Sequence, residues 1–100
     1  MPILEVIKSD SFLRWLERLK DRAAVARIAV RMDRAAEGNL GDVRHLREGL
    51  WEMRISYGQG YRLYFIRRGS TMIVLLAGGD KRTQQRDIED ALQLAKVWKE

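Results

Sequence analysis

Three features of the 100-residue chain predict an α+β fold. Apolar residues recur at helical spacing in three segments. They alternate with polar residues, at period two, on both sides of Gly58-Gln59-Gly60. A continuous apolar run from Met72 to Ala77 stands between turn signals and reads as a central strand covered on both faces. The length suits one domain, residues 1–100, and 46% apolar residues can fill a single core. The predicted order is strand, helical hairpin, three or four antiparallel strands, then a C-terminal helix, with the helices packed on one face of a small antiparallel sheet.

Ile3-Leu4-Glu5-Val6-Ile7 is short and β-branched, a first strand. Ser9, Asp10 and Ser11 are N-cap candidates for a helix over about 11–20, whose stripe is Phe12, Trp15, Leu16 and Leu19. Val25, Ile28, Ala29, Met32 and Ala36 continue as a second helix to about 37, stopped by Gly38-Asn39. A weaker strand spans Val43 to Leu46. In Leu50 to Ser56, Trp51, Met53 and Ile55 share one face, and Glu52, Arg54 and Ser56 the other. In Tyr61 to Arg67, Leu63 and Phe65 oppose Arg62 and Tyr64. Arg68-Gly69-Ser70 is a turn, and Gly78-Gly79-Asp80-Lys81 reads as a loop. Thr83 is placed to cap a last helix with the stripe Ile88, Ala91, Leu92, Ala95 and Trp98.

Composition excludes several chemistries. Without cysteine there is no disulfide framework, thiol nucleophile or cysteine zinc site, and a single histidine, His45, rules out paired imidazoles. No acidic cluster or ligand spacing implies a metal, and no cofactor is expected. The apolar run of six residues is far short of the roughly 20 a membrane helix needs. The opening Met1-Pro2-Ile3-Leu4-Glu5 has neither the basic nor the apolar region of a secretory signal, so a cytoplasmic protein with no membrane partner is expected.

The basic residues are fourteen arginines and five lysines, and the net charge is +5. The excess is uneven: residues 1–42 carry a net +1, residues 43–86 a net +6 and residues 87–100 a net −2. Arginine grips phosphates with a planar fork, so this bias suggests a face for a polyanion, nucleic acid first. The plainer reading is an arginine-rich surface that keeps the protein dispersed.

Strand alternation sharpens the suggestion. If Trp51, Met53, Ile55, Leu63 and Phe65 face the helices, then Glu52, Arg54, Arg62 and Tyr64 share the opposite, open face. Lys81 leaves the adjacent strand and reaches the rim. Such a patch suits cleavage of an RNA backbone, in which the 2′-hydroxyl attacks its own phosphodiester. Arg54 and Arg62 would stabilise the phosphorane. Tyr64, Lys81 or Glu52 would move the proton, with neighbouring arginines favouring an ionised Tyr64. Alternatively, Glu52 simply pairs with Arg54 or Arg62 across the strands. Tyr57 and Tyr61 flank the turn and could stack an unpaired base or serve structure. Gln84 and Gln85 could contact RNA or hydrogen-bond the loop. Gly38-Asn39-Leu40-Gly41 has the spacing of an RNA-clamping loop but reads as a cap and turn. His45 reads as a packing or surface residue, and the three tryptophans as core.

The segments Phe12-Leu13-Arg14-Trp15-Leu16, Gly38-Asn39-Leu40-Gly41-Asp42, Glu52-Met53-Arg54-Ile55, Tyr57-Gly58-Gln59-Gly60-Tyr61-Arg62-Leu63-Tyr64 and Gly78-Gly79-Asp80-Lys81-Arg82-Thr83-Gln84 resemble the RelE/HigB superfamily of toxins, nearest its addiction-module killer proteins. The resemblance covers about residues 3–98. It implies a RelE-like α+β toxin of a type II toxin–antitoxin module: an endoribonuclease cleaving messenger RNA, commonly on the ribosome. It also implies a cognate antitoxin of helix-turn-helix type, which alone carries the toxin to operator DNA. Carried over residue by residue, the catalytic set is Arg54, Arg62, Tyr64 and Lys81. Glu52, Tyr57, Tyr61, Arg82 and Gln84 are expected to contact RNA. The histidine, or run of lysines, that some members place on the sheet is missing here. A ParE-like gyrase inhibitor of the same fold, or a non-catalytic nucleic-acid-binding module, is the alternative.

Overall fold

The computed structural model describes residues 3–98. The start Met1-Pro2, used in the signal reading, and Lys99-Glu100, used in the charge count, lie outside the described residues. The elements run β1 (Glu5–Lys8), α1 (Asp10–Arg18), α2 (Arg22–Ala36), β2 (Val43–Arg47), β3 (Leu50–Ile55), β4 (Tyr61–Arg68), β5 (Met72–Gly79), a 3₁₀ turn (Lys81–Thr83) and α3 (Gln84–Val97). One five-stranded sheet has the order β1-β5-β4-β3-β2. β1 pairs with β5 in parallel and all other neighbours are antiparallel, so the sheet is mixed rather than purely antiparallel.

Local chemistry explains the helix starts. Ser9 caps α1: its Oγ accepts from the Phe12 N–H at 3.1 Å and donates to the Leu76 carbonyl at 3.2 Å, which ties the helix to β5. Asp21 caps α2 by accepting from the Ala24 N–H. Thr83 stands at the start of α3 but makes no side-chain cap bond; its hydroxyl donates instead to Asp87, one turn on.

The sheet has a core on each face, which corrects the expectation that all helices share one. α1 and α2 cover Met53, Ile55, Tyr61, Leu63, Phe65, Ile73 and Leu75, contributing Phe12, Ala24 and Ile28. α3 lies on the opposite face, where Ala91 and Leu92 pack with Leu50, Tyr64, Ile66, Val74 and Leu76. β5 is the doubly covered strand its apolar run predicts. An irregularity at Tyr64/Phe65 gives β5 one extra residue there, since Tyr64 faces Ala77 and Phe65 faces Leu75. Trp15, Trp51 and Trp98 are half-buried at the edges of the two cores rather than at their centres.

Gly78 and Gly79 are strand residues, not the loop expected of a glycine pair. A Cβ on Gly78 would fall 2.3 Å from the Trp15 ring of α1, and one on Gly79 would fall 1.8 Å from Asp87 Oδ2 of α3. The pair is glycine because Trp15 of α1 and Asp87 of α3 lay their side chains against the backbone of β5. Among the described residues no helix is long and apolar enough to cross a membrane.

Candidate functional site

The register brings the expected residues together. Glu52 pairs with Tyr64, and Arg54 pairs with Arg62, across β3 and β4. Their shared face is not uniformly open, however. α3 crosses one end of it and stops short of the other.

Under α3, Glu52 and Tyr64 are fully buried. Glu52 is the centre of a polar network: Oε1 accepts from Arg62 Nη1 at 3.0 Å, Oε2 accepts from Gln84 Nε2 at 2.9 Å, and Arg44 Nε lies 3.6 Å from Oε1. Among the described residues the Tyr64 hydroxyl makes no well-formed hydrogen bond, although it lies beside the Glu52 carboxylate. Burial, with the charges of Glu52 and Asp87 next, pushes its pKa far above the ordinary 10.0, and Arg62 only partly offsets this. The expectation of an exposed, readily ionised Tyr64 is therefore corrected. Glu52 is likewise not displayed to a ligand; it anchors Arg62. The cross-strand ion pair anticipated as the plainer reading exists between Glu52 and Arg62. Gln84 gives its amide to Glu52 rather than to the loop or to an open surface.

Beyond α3 the face opens into a cleft of about 550 Å³. Arg54, Arg62, Lys81, Asp42, Tyr57 and Tyr61 are among its walls. Two guanidinium groups directly opposed on neighbouring strands repel, so their survival needs compensation. Each has its own carboxylate: Arg62 has buried Glu52, and Arg54 Nη2 lies 3.0 Å from Asp42 Oδ1. The Arg62 side chain is 12% exposed and that of Arg54 is 41% exposed, so both keep an edge toward the cleft. The stem of Lys81 lies over Gly60, whose φ of 76° favours glycine and where a Cβ would fall 2.8 Å from Lys81 Cε. Among the described residues Lys81 has no carboxylate partner.

The tyrosines divide. Tyr61 is buried in the first core, and burial raises its pKa, with Asp21 and Asp80 adding to the effect. Little of its ring is free to stack a base. Tyr57 is half-buried; its hydroxyl lies 3.5 Å from Asp21 Oδ1 and the Arg27 guanidinium sits 4.5 Å above its ring. Arg82 is 74% exposed and forks onto Asp80 at 3.0 Å, which holds that carboxyl below its ordinary value.

Two residues of the site carry no signal in the strand pattern alone. Asp42 precedes β2, yet its carbonyl accepts from the Arg54 N–H at 2.9 Å, extending the β2–β3 pairing by one residue. Continuing the Arg44–Glu52 and Val43–Met53 register outward would have found it. Arg31 of α2 donates to the carbonyls of Arg54, Leu40 and Asp42 and so fastens that loop to β3. Burial lowers its pKa, with Asp42 opposing.

Comparison with known proteins agrees with this architecture. Residues 14–97 match the family described as phage-derived protein Gp49-like (DUF891). The chain belongs to the Gp49-like family. A Haemophilus influenzae relative, described only as an uncharacterized protein, is 43% identical over 92 residues, spanning 92% of this chain and 93% of its own. A double-arginine variant of the Escherichia coli toxin RelE in its free state superposes with a TM-score of 0.71 at 12% identity, covering 96% of this chain and 99% of that one. The toxin–antitoxin complex RelBE2 of Mycobacterium tuberculosis gives 0.62 at 22% identity, covering 81% and 100%. At these identities the likeness is one of fold: this Gp49-like chain has the RelE fold.

Proposed function

We propose that this Gp49-like protein is the toxin of a toxin–antitoxin module and acts as an endoribonuclease on messenger RNA bound to the ribosome. The observation that carries the reading is the convergence of Arg54, Arg62 and Lys81 on one open cleft. The RelE fold and the toxin–antitoxin neighbour support the module, and with it a cognate antitoxin that covers the toxin.

The chemistry follows from the cations. A phosphodiester seated between Arg54 and Arg62 gains charge as the 2′-oxygen adds to phosphorus, and preorganised guanidinium groups stabilise that charge most where it is greatest. Lys81, free of a carboxylate among the described residues, supplies a proton to the departing 5′-oxygen. Holding the RNA in line contributes through orientation. The products are a 2′,3′-cyclic phosphate and a 5′-hydroxyl. Tyr64 takes no part, because α3 seals it from the cleft, and Glu52 serves only to hold Arg62.

The test compares wild type with Lys81→Ala, an exposed change that leaves the buried Glu52–Arg62 pair intact. Wild type is expected to stop growth on expression and to create new RNA 5′ ends within translated regions, while Lys81→Ala does neither. Growth arrest with intact messenger RNA and lost gyrase supercoiling would overturn the nuclease in favour of a gyrase inhibitor. Salt-dependent RNA binding without arrest would leave only a binding module.

A further inference from the structure

The proposed cleavage needs an acceptor for the proton of the attacking 2′-hydroxyl, and the geometry points to Asp42 as that general base, with Lys81 as the acid; the inference rests on the nuclease reading above.

Elimination around the cleft leads there. Of the residues lining it, Arg54, Arg62 and Lys81 are cations, and Ile55, Gly58 and Gly60 carry nothing to protonate. Ser56 offers only a neutral hydroxyl. The Tyr57 hydroxyl is turned to Asp21 at 3.5 Å. Tyr61 is held as a phenol by its burial, so it does not accept a proton near neutrality. Glu52 is a carboxylate but is fully buried and already bound by three side chains. Among the described residues Asp42 is the one carboxylate lining the cleft, and its side chain is 50% exposed.

Asp42 is also held more firmly than an ordinary surface acid. Its carbonyl accepts from the Arg54 N–H at 2.9 Å and from Arg31 Nη2 at 3.3 Å. Gly41, with φ of 70°, lets the Arg31 guanidinium lie where a Cβ would stand 2.9 Å from Nη2. The Asp42 carboxylate is oriented by Arg54 Nη2 at 3.0 Å through one oxygen, and among the described residues the other oxygen has no partner. With a phosphodiester seated on Arg54, this fixed carboxylate would be the acceptor within reach of the 2′-oxygen. The charged groups facing it are Arg54 and Arg31, with Arg62 and Lys81 on the same cleft.

The step balances. The 2′-hydroxyl proton passes to Asp42 as the O2′–P bond forms. The P–O5′ bond breaks and the 5′-oxygen takes its proton from Lys81. Solvent then removes the proton from Asp42 and restores that of Lys81.

The experiment uses purified protein, a short RNA on programmed ribosomes and the same RNA free, under saturating single-turnover conditions. Asp42→Asn keeps an oxygen for Arg54 but cannot accept the proton. It is expected to lower the rate constant by about 100-fold or more, with little change in the half-saturating concentration. A substrate whose bridging 5′-oxygen is sulfur has a leaving group that needs no acid. It should restore Lys81→Ala and leave Asp42→Asn slow. If wild type cleaves while Asp42→Asn stays within about tenfold, Asp42 is only an orienting partner of Arg54 and the inference falls alone. If wild type cleaves neither RNA, the nuclease reading falls and takes this one with it. Melting curves of Asp42→Asn close to wild type, as expected for a half-exposed pair, would show that a rate loss is not unfolding.

Discussion

Replacing Glu52 by alanine should be among the most damaging single changes in the molecule. Glu52 is fully buried, and the Arg62 side chain that it binds is only 12% exposed. Removing the carboxylate leaves a guanidinium in a poorly solvated site with no counter-charge, a loss of roughly 3–5 kcal/mol in comparable buried pairs. It also strips the Gln84 amide of its acceptor. Arg44 adds little, because its side chain is 56% exposed and stands 3.6 Å away. Against a total stability of roughly 5–15 kcal/mol for a domain, the variant should be close to unfolding. With a urea slope of about 1.5 kcal/mol per molar, the midpoint should fall by roughly 2–3 M. The assay is urea unfolding of Glu52→Ala, Arg44→Ala and the double variant Glu52→Leu/Arg62→Met. The double variant removes both charges and fills the space, so it should recover most of the loss. A Glu52→Ala midpoint within about 0.5 M of wild type, or a double variant worse than Glu52→Ala, would refute the claim that this pair is desolvated.

Other outcomes follow from the same packing. Tyr64→Phe removes a hydroxyl that meets only Glu52, without a well-formed hydrogen bond, so stability should change little and RNA cleavage should be unchanged; a rate loss beyond tenfold would put the phenol back in the mechanism. Stability should decline as pH rises past 10.0, the ordinary tyrosine value, because the unfolded chain then ionises while the fold keeps Tyr64 and Tyr61 protonated. Urea midpoints between pH 8 and 11 test this, and Tyr64→Phe should flatten the decline; an equal slope in both proteins would contradict it. Gly78→Ala forces a Cβ to within 2.3 Å of the Trp15 ring, an overpacking worth about 1–3 kcal/mol, so the melting temperature should drop by at least about 4 °C. An unchanged melting temperature would mean that α1 lies less tightly on β5 than the structure has it.

The alternation of side chains is written in the chain itself. Period two in Trp51 to Ile55 and in Arg62 to Phe65 places Glu52, Arg54, Arg62 and Tyr64 on one face, and the observed register pairs them as that pattern requires. The helix stripes and the doubly covered strand are equally local, because each depends on spacing within a few residues; among the cap candidates Ser9, Asp10 and Ser11, the structure selects Ser9. What covers a face is not local. The stripe Ala91, Leu92 and Ala95 needs an apolar surface, and the second faces of β4 and β5, with Ile66, Val74 and Leu76, provide one. That demand seats α3 over Tyr64 and Glu52 and divides an anticipated open patch into a sealed anchor and a cleft. Gly78 and Gly79 escaped recognition as strand residues for a similar reason, since only the approach of Trp15 and Asp87 explains why no side chain fits there. Asp42 becomes visible only once the β2–β3 register is known, and Arg31 is hidden because its role arises from contacts between separate elements. Periodicity assigned the residues to faces; burial, which depends on segments distant along the chain, decided which of them can meet a substrate.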